Sequence, residues 1–253
     1  MTHRYLRPGW WIRRLAVPAE RLMPSPWVMR ALVFAARHDG EPELEMLPDL
    51  VRRDRWAVDV GAADGVYTWH LARLAVGCVA FEPNPVSAER VRKRVPGADV
   101  RAVALSRADG KTRLRIPLTD GVISPGLATV EAANPLGSGN DAIEIDVPMR
   151  RLDSLRLPRV GFMKIDVEGH ELAVLQGAEV LIKRDRPTLL IEVEDRHRPQ
   201  ARASVINWLG ARGYSRPVAT SSINLLFTPD GLDQQLILTP DCLTLPSASP
   251  IRC

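Results

Sequence analysis

A chain of 253 residues with 45% hydrophobic and 25% charged side chains has a globular composition and enough length for one large α/β domain with a full core. Its longest apolar runs, "VMRALVFAA" and "LAVGCVAF", fall well short of the roughly 20 residues that cross a bilayer. No signal peptide opens the sequence, so a cytoplasmic protein is expected. Cys78, Cys242 and Cys253 are far apart, with no CxxC pair or Cys/His spacing for structural zinc, and read as reduced thiols.

The net charge of +4 is unevenly placed. Residues 1–38 carry seven arginines (Arg4, Arg7, Arg13, Arg14, Arg21, Arg30, Arg37) against Glu20 alone, which leaves the rest of the chain slightly acidic. Trp10, Trp11 and Trp27 are interleaved with them. Such a leader suits peripheral contact with an anionic membrane surface, at the inner face of the membrane, or contact with an acidic substrate. The competing reading is a surface segment whose tryptophans pack back on the domain. No RNA- or DNA-binding motif accompanies the charge, so nucleic acid is not an expected partner. The pattern says nothing of oligomeric state.

In chain order, "PSPWVMRALVFAAR" opens a helix, with Ser25 as cap and Pro26 in the first position. "EPELEMLPDLV" is a second short helix, broken near Pro48. "WAVDV" is an apolar strand, "GAADG" a turn and "VYTWHLARLA" a helix. "CVAFE" is the next strand, ending at "PNP", and "VSAERVRKRV" a helix with a basic outer face. "VRAVAL" is a third strand. After an interruption, "GFMKID" and "TLLIEVE" are a fourth and a fifth, separated by a helix. Strands buried on both faces and alternating with helices predict a parallel sheet. Between the third and fourth strands, residues 107–150 form an insertion in which "KTRLRIP" and "AIEIDVP" alternate like half-exposed strands. "ARASVINWLGARG" is a helix, and "YSRPVAT" with "INLLFT" a terminal antiparallel hairpin. The expected organisation is a leader (1–40), one domain (41–228) and a Pro-rich tail (229–253).

Ligands in an open parallel sheet sit at the carboxyl ends of the strands. Gly61 and Gly65 follow the first strand, and Asp59 lies within it, where an unpartnered carboxylate would be costly. An NAD fingerprint wants a middle glycine, but the chain has Ala63, and Asp59 and Asp64 put negative charge where a pyrophosphate would rest. A cationic, phosphate-free ligand such as S-adenosylmethionine fits better. Glu82 ends the second strand, where a carboxylate can accept both hydroxyls of a ribose.

The ordered run "VDVGAADGVYT", "AFEPNP", "AVALS", "VPMRRLDSL", "FMKIDVEGHELAVLQGA" and "PTLLIEVE" resembles the FkbM-type methyltransferases over roughly residues 41–228. The resemblance implies a Rossmann-like class I methyltransferase fold. It also implies S-adenosylmethionine as cofactor and methyl transfer to a hydroxyl of a sugar, glycan or glycolipid. Alternatives are a small polyketide or peptide acceptor and a non-catalytic S-adenosylmethionine-binding module. By resemblance, Asp59, Gly61, Ala62 and Gly65 line the methionine end of the cofactor and Glu82 holds the ribose. Pro83 and Asn84 lie beside the adenosine, and Leu105 and Ser106 flank the adenine. The family's turn usually has Asn at position 63, where this chain has Ala63.

Methyl transfer to an alcohol needs alignment and a proton acceptor or a metal. The candidates lie in "KIDVEGHE". Asp166 ends the fourth strand, with Glu168 and His170 as nearby bases. Glu171 reads as a helix-start acid, favourable at the dipole. A second version places a divalent cation such as magnesium on Asp166 with Glu192 or Glu194, on one face of the fifth strand. His197 reads as a solvated loop residue and His70 as structural or exposed.

Overall fold

The computed structural model describes residues 12, 16, 20, 22–39, 41–119, 122–136 and 141–231. Trp10, Trp11 and most of the expected tail lie outside these residues. The first helix, α1 (Ser25–Asp39), is followed by α2 (Glu43–Leu50), β1 (Trp56–Val60), α3 (Val66–Leu74), β2 (Gly77–Phe81), α4 (Pro85–Arg94) and β3 (Asp99–Arg101). Strands β4 (Ala104–Leu105), β5 (Gly110–Thr119), β6 (Val122–Ile123) and β7 (Ala142–Arg150) come next. The chain continues through β8 (Val160–Ile165), α5 (Glu171–Gln176), α6 (Glu179–Asp185), β9 (Thr188–Glu192), α7 (Ala201–Gly210), β10 (Val218–Ala219) and β11 (Asn224–Phe227).

Seven strands form the main sheet in the order β10-β11-β9-β8-β1-β2-β3. All neighbours are parallel except at one edge, where β11 runs antiparallel to β9 and to β10. β1 and β8 are apolar throughout apart from Asp59 and Lys164, because both faces of the sheet are covered. Val58, Val60, Met163, Ile165, Leu189 and Ile191 pack with Val174 and Leu175 of α5, Leu181 and Ile182 of α6, and Val205 and Leu209 of α7. On the other face Ala57, Phe162, Leu190 and Leu226 pack with Met29 and Leu32 of α1, Leu44 and Leu47 of α2, Leu71 of α3 and Val91 of α4. Each such buried Leu contributes on the order of 2 kcal/mol through the area it removes from water.

The insertion is a second sheet of order β4-β7-β5-β6. Its long antiparallel pair, β5 with β7, runs from Gly110↔Met149 to Pro117↔Ala142. Ala104, Leu114, Ile116 and Val147 make a small core of their own. Alternation in this pair reflects one packed and one solvated face, as the sequence pattern predicts.

Three expectations are corrected. α2 runs through Pro48 to Leu50, because Pro48 falls late in the helix, where losing one backbone donor does not stop it. The expected third strand divides: β3 joins the main sheet and β4 turns onto β7 of the insertion. The helix after "KIDVEGHE" is interrupted at Gly177, where a Cβ would stand 1.9 Å from the Ser106 carbonyl oxygen.

The constraint at Gly61 is tighter still. Its φ is +86°, and a Cβ would lie 1.7 Å from the Asp166 carbonyl oxygen. Gly61→Ala is expected to cost at least about 3 kcal/mol in chemical denaturation, or to abolish folding. Gly210→Ala, at the end of α7 with nothing within 4 Å of the new methyl, should be neutral or stabilising by up to about 1 kcal/mol.

Candidate active site

Val60 is in register with both Phe81 and Ile165. Gly61, Glu82 and Asp166 are therefore the next residues on three adjacent strands, with the backbones of Glu82 and Asp166 about 10 Å apart across two strand spacings. A cleft opens over these strand ends. Gly61, Ala63, Glu82, Asp166 and Glu168 line it, with Val103 to Leu105 as an apolar floor. Leu114, Pro125, Gly126, Ala128 and Val130 of the insertion form the opposite wall.

Glu82 is 5% exposed, and its carboxylate is held by two backbone donors, Ala63 N–H to Oε2 and Asn84 N–H to Oε1, each at 2.9 Å. Burial pushes its carboxyl up to about 7, against the pull of those two hydrogen bonds. The remaining lone pairs suit a donor pair such as a cis-diol. Asn84 caps α4 by accepting from Val86 N–H at 3.0 Å. Ala63 has φ +46°, a left-handed conformation that asparagine tolerates better than alanine, which gives the usual asparagine there a backbone reason.

Behind this first layer Asp59 is 1% exposed and accepts from Thr68 Oγ1 at 2.5 Å. Burial raises its carboxyl to about 6, with the Thr68 hydrogen bond opposing. Gly65, φ +85°, turns the chain into α3 and packs on Val91, while Ala62 is buried and donates to the Phe81 carbonyl. Asp59, Ala62, Gly65 and Asn84 shape the turn that borders the cleft. Arg94, with no side-chain exposure, binds the Asp64 carbonyl at 2.8 Å and Glu20 of the leader at 2.6 Å, so the leader is tied to the same turn.

Lys164 has no role in the sequence reading, yet it is the centre of the polar cluster. It is 2% exposed, with Nζ 3.8 Å from Asp166 Oδ2, 3.9 Å from Glu192 Oε2 and 3.3 Å from Asn224 Oδ1, below the Tyr67 ring. Burial raises the Asp166 carboxyl, and the Lys164 charge limits the rise. Glu192 is pushed up to about 8, first by burial and then by the Asp166 charge. An ammonium thus takes the place between these acids that the divalent-cation version reserved for metal. β9 ends at Glu192, and the Glu194 carboxylate turns to Arg196 at 2.6 and 2.7 Å. Among the described residues no group of three or more His, Cys, Asp or Glu side chains is placed to hold a metal ion. The predicted ligand set does not fit, because a resident cation already bridges two of its members.

Glu168 lines the cleft with φ +53°, and its carbonyl accepts from Thr129 Oγ1 at 2.9 Å and Asn134 Nδ2 at 2.7 Å, both from the insertion. Its carboxylate meets His197 Nε2 at 2.9 Å. His197 is 5% exposed, so the solvated-loop expectation is wrong: burial lowers its affinity for a proton, but the Glu168 carboxylate outweighs this and the net shift is upward. His170 does not line the cleft. Its Nε2 meets Ser106 Oγ at 2.9 Å and its Nδ1 meets Glu131 Oε2 at 3.1 Å, so both nitrogens are engaged. Burial lowers its pKa, with Glu131 opposing. Leu105 lies in the floor, whereas Ser106 faces His170. Glu171, the expected helix-start acid, is 1% exposed and accepts from Gly169 N–H at 2.7 Å. Long-range contacts from Lys164, His197 and Glu131 are what sequence spacing did not reveal.

The buried acids make stability fall with pH. Burial raises Glu82 and Glu171 to about 7 and Glu192 to about 8 from 4.5. Between about pH 4.5 and 8, from the ordinary glutamate value to the raised folded ones, the folded chain therefore binds more protons than the unfolded one, and its stability drops as pH rises. Thermal melts across this window should show a falling Tm, and Glu171→Gln should flatten the slope. A Tm that rises across it would contradict the assignment.

A profile of the methyltransferase FkbM domain matches residues 59–216, more than half of the chain. No curated protein matches. Among solved structures, methyltransferase FkbM from Methylobacillus flagellatus KT has 18% identity and a TM-score of 0.48, with 87% of this chain and 58% of that one covered. This chain thus spans less than two thirds of that protein's length. A SAM-dependent methyltransferase from Aquifex aeolicus has 16% identity and a TM-score of 0.44 over 80% of this chain and 97% of that one. A Streptococcus mutans structure in complex with SAH has 11% identity and a TM-score of 0.42 over 74% and 94%. By its matched domain the chain belongs to the FkbM methyltransferase family, and its sheet order with the antiparallel edge is the Rossmann-like class I fold.

Proposed function

We propose that this chain transfers a methyl group to a hydroxyl of a sugar, glycan or glycolipid. The supporting observation is the pair of cleft-lining carboxylates, Asp166 and Glu168, two residues apart beside the strand ends. Adjacent carboxylates accept hydrogen bonds from neighbouring hydroxyls, the pattern a sugar ring presents. S-adenosylmethionine, when bound, supplies a methyl on positively charged sulfur.

In this reading Glu82 accepts from the ribose hydroxyls, and Phe81 and Val103 to Leu105 pack on the adenine. Gly61 lets the backbone approach closely, and the carboxylates favour a cationic donor. Asp166 takes the proton of the acceptor hydroxyl. Burial raises its pKa, which makes it a stronger base than an exposed carboxylate, and the Lys164 charge opposes that rise. Glu168, braced by His197, orients the acceptor. The apolar wall of Pro125, Gly126, Ala128 and Val130 supports a second reading, a less polar polyketide or peptide acceptor.

Mass spectrometry of glycans and glycolipids from cells with and without the protein should show one methyl missing from a sugar. A missing methyl on a small natural product instead would favour the second reading. Glu82→Gln places an amide donor against a backbone donor and should weaken S-adenosylmethionine binding ten- to a hundredfold in calorimetry. Asp166→Asn should lower kcat by about 10²–10⁴ with cofactor affinity nearly kept. Lys164→Met removes the charge that lowers Asp166, so the acid limb of the pH–rate profile should move to higher pH. An unmoved limb would remove Asp166 from the base role.

A further inference from the structure

The leader helix has two faces of different kinds. Val28, Met29, Leu32, Val33, Ala35 and Ala36 of α1 are buried against the domain. On the outer side Trp27 is 60% exposed, so it does not pack back on the domain, and just before the helix Leu22 is 89% and Met23 47% exposed. Large apolar side chains at this exposure are usually scattered singly, whereas these share one short segment.

The same surface gathers arginines. Arg30 stacks 5.8 Å from the Trp27 ring, and Arg73 of α3 lies 3.8 Å over Trp69. Arg73 feels the charge of Arg30, and buried His70, edge-on to Trp69 at 4.8 Å, feels both Arg37 and Arg73. The three guanidiniums are therefore neighbours, and none forms an ion pair with a described residue. Like charges gathered together raise the energy of the free protein and are relieved by an anionic partner. Burial first, then these two arginines, lowers His70 to about 4, so the histidine is neutral near neutral pH and adds no fourth charge.

We propose that the α1–α3 face is a docking surface for an anionic membrane. Trp27, Leu22 and Met23 enter the interfacial layer, and Arg30, Arg37 and Arg73 meet lipid phosphates. Exposed aromatic and aliphatic groups interleaved with guanidiniums match a lipid interface, which has an apolar interior and an anionic rim. A polynucleotide would use the charge but leave Leu22 and Met23 without a role. Among the described residues no helix is long and apolar enough to cross a membrane, so the association is peripheral. The proposal is independent of which acceptor is methylated.

The test is cosedimentation of the full chain with vesicles of phosphatidylcholine alone and with phosphatidylglycerol added. Binding should require the anionic lipid and weaken with salt. Arg30→Gln, Arg37→Gln and Arg73→Gln should each lower partitioning about fivefold at low salt. Leu22→Ala, at a side chain with almost no packing, should weaken binding without changing the thermal melt. Brominated lipid should quench tryptophan fluorescence less in Trp27→Phe than in the unaltered chain. Three results would each overturn the proposal. These are no binding to anionic vesicles, equal binding to neutral ones, and arginine variants that lose RNA binding while keeping vesicle binding.

Discussion

Two strand ends are fastened face to face: the Asp166 N–H donates to the Val60 carbonyl at 2.9 Å, and the backbone of Gly61 lies directly against the Asp166 carbonyl. No side chain fits between them. This contact fixes the distance between the first glycine turn and the "KIDVEGHE" loop, and every group of the cleft is placed from one or the other. Glu82 follows from the turn, because its carboxylate is clamped by Ala63 and Asn84. Asp166 and Glu168 follow from the loop. A mutual shift of even an ångström would separate Glu82 from Asp166 and Glu168, and under the proposed methyl transfer, which depends on in-line alignment, little of that would be tolerated.

The electrostatics of the site rest on an imbalance. Asp59, Glu82, Asp166, Glu171 and Glu192 are gathered near the strand ends, and Lys164 is the buried amine among them. One ammonium cannot neutralise them all, so several acids hold protons more tightly than exposed carboxylates do. A site left short of positive charge is suited to a ligand that brings its own. The sulfonium and ammonium of S-adenosylmethionine supply it, whereas a pyrophosphate would add to the deficit. A cationic cofactor thus suits the charge of the whole cluster as well as the absent middle glycine of the turn.

The strand–turn–helix unit around Asp59, Gly61, Gly65 and Glu82 was legible in the sequence because it is local. Its apolar run, its glycines and its terminal acid are consecutive, and their spacing carries the geometry. The terminal hairpin and the alternating strands of the insertion were legible for the same reason. The partnerships of the site were not. Lys164 looked like one more charge in an acidic octet; its role appears only when β9 and β11 bring Glu192 and Asn224 beside it. His197 looked like a loop residue until the fold buried it on Glu168. Glu131 lies 39 residues from His170 in sequence and reaches it only through the insertion. Glu194 was misplaced because strict alternation was carried past the end of β9. Pro48 misled in the opposite sense, since a proline near a helix end removes one bond and leaves the rest.

The hydrogen bonds from Thr129 and Asn134 to the Glu168 carbonyl have a consequence for how this enzyme can diversify. They hold a non-glycine residue in a left-handed conformation, and they come from the segment that also walls the acceptor side of the cleft. Wall and catalytic loop are therefore one mechanical unit. An insertion transplanted from a relative would bring a new wall, but without a hydroxyl and an amide at these two places the loop beneath it would relax. The wall can vary readily at Pro125, Gly126, Ala128 and Val130, within a frame that Thr129 and Asn134 oblige the chain to keep.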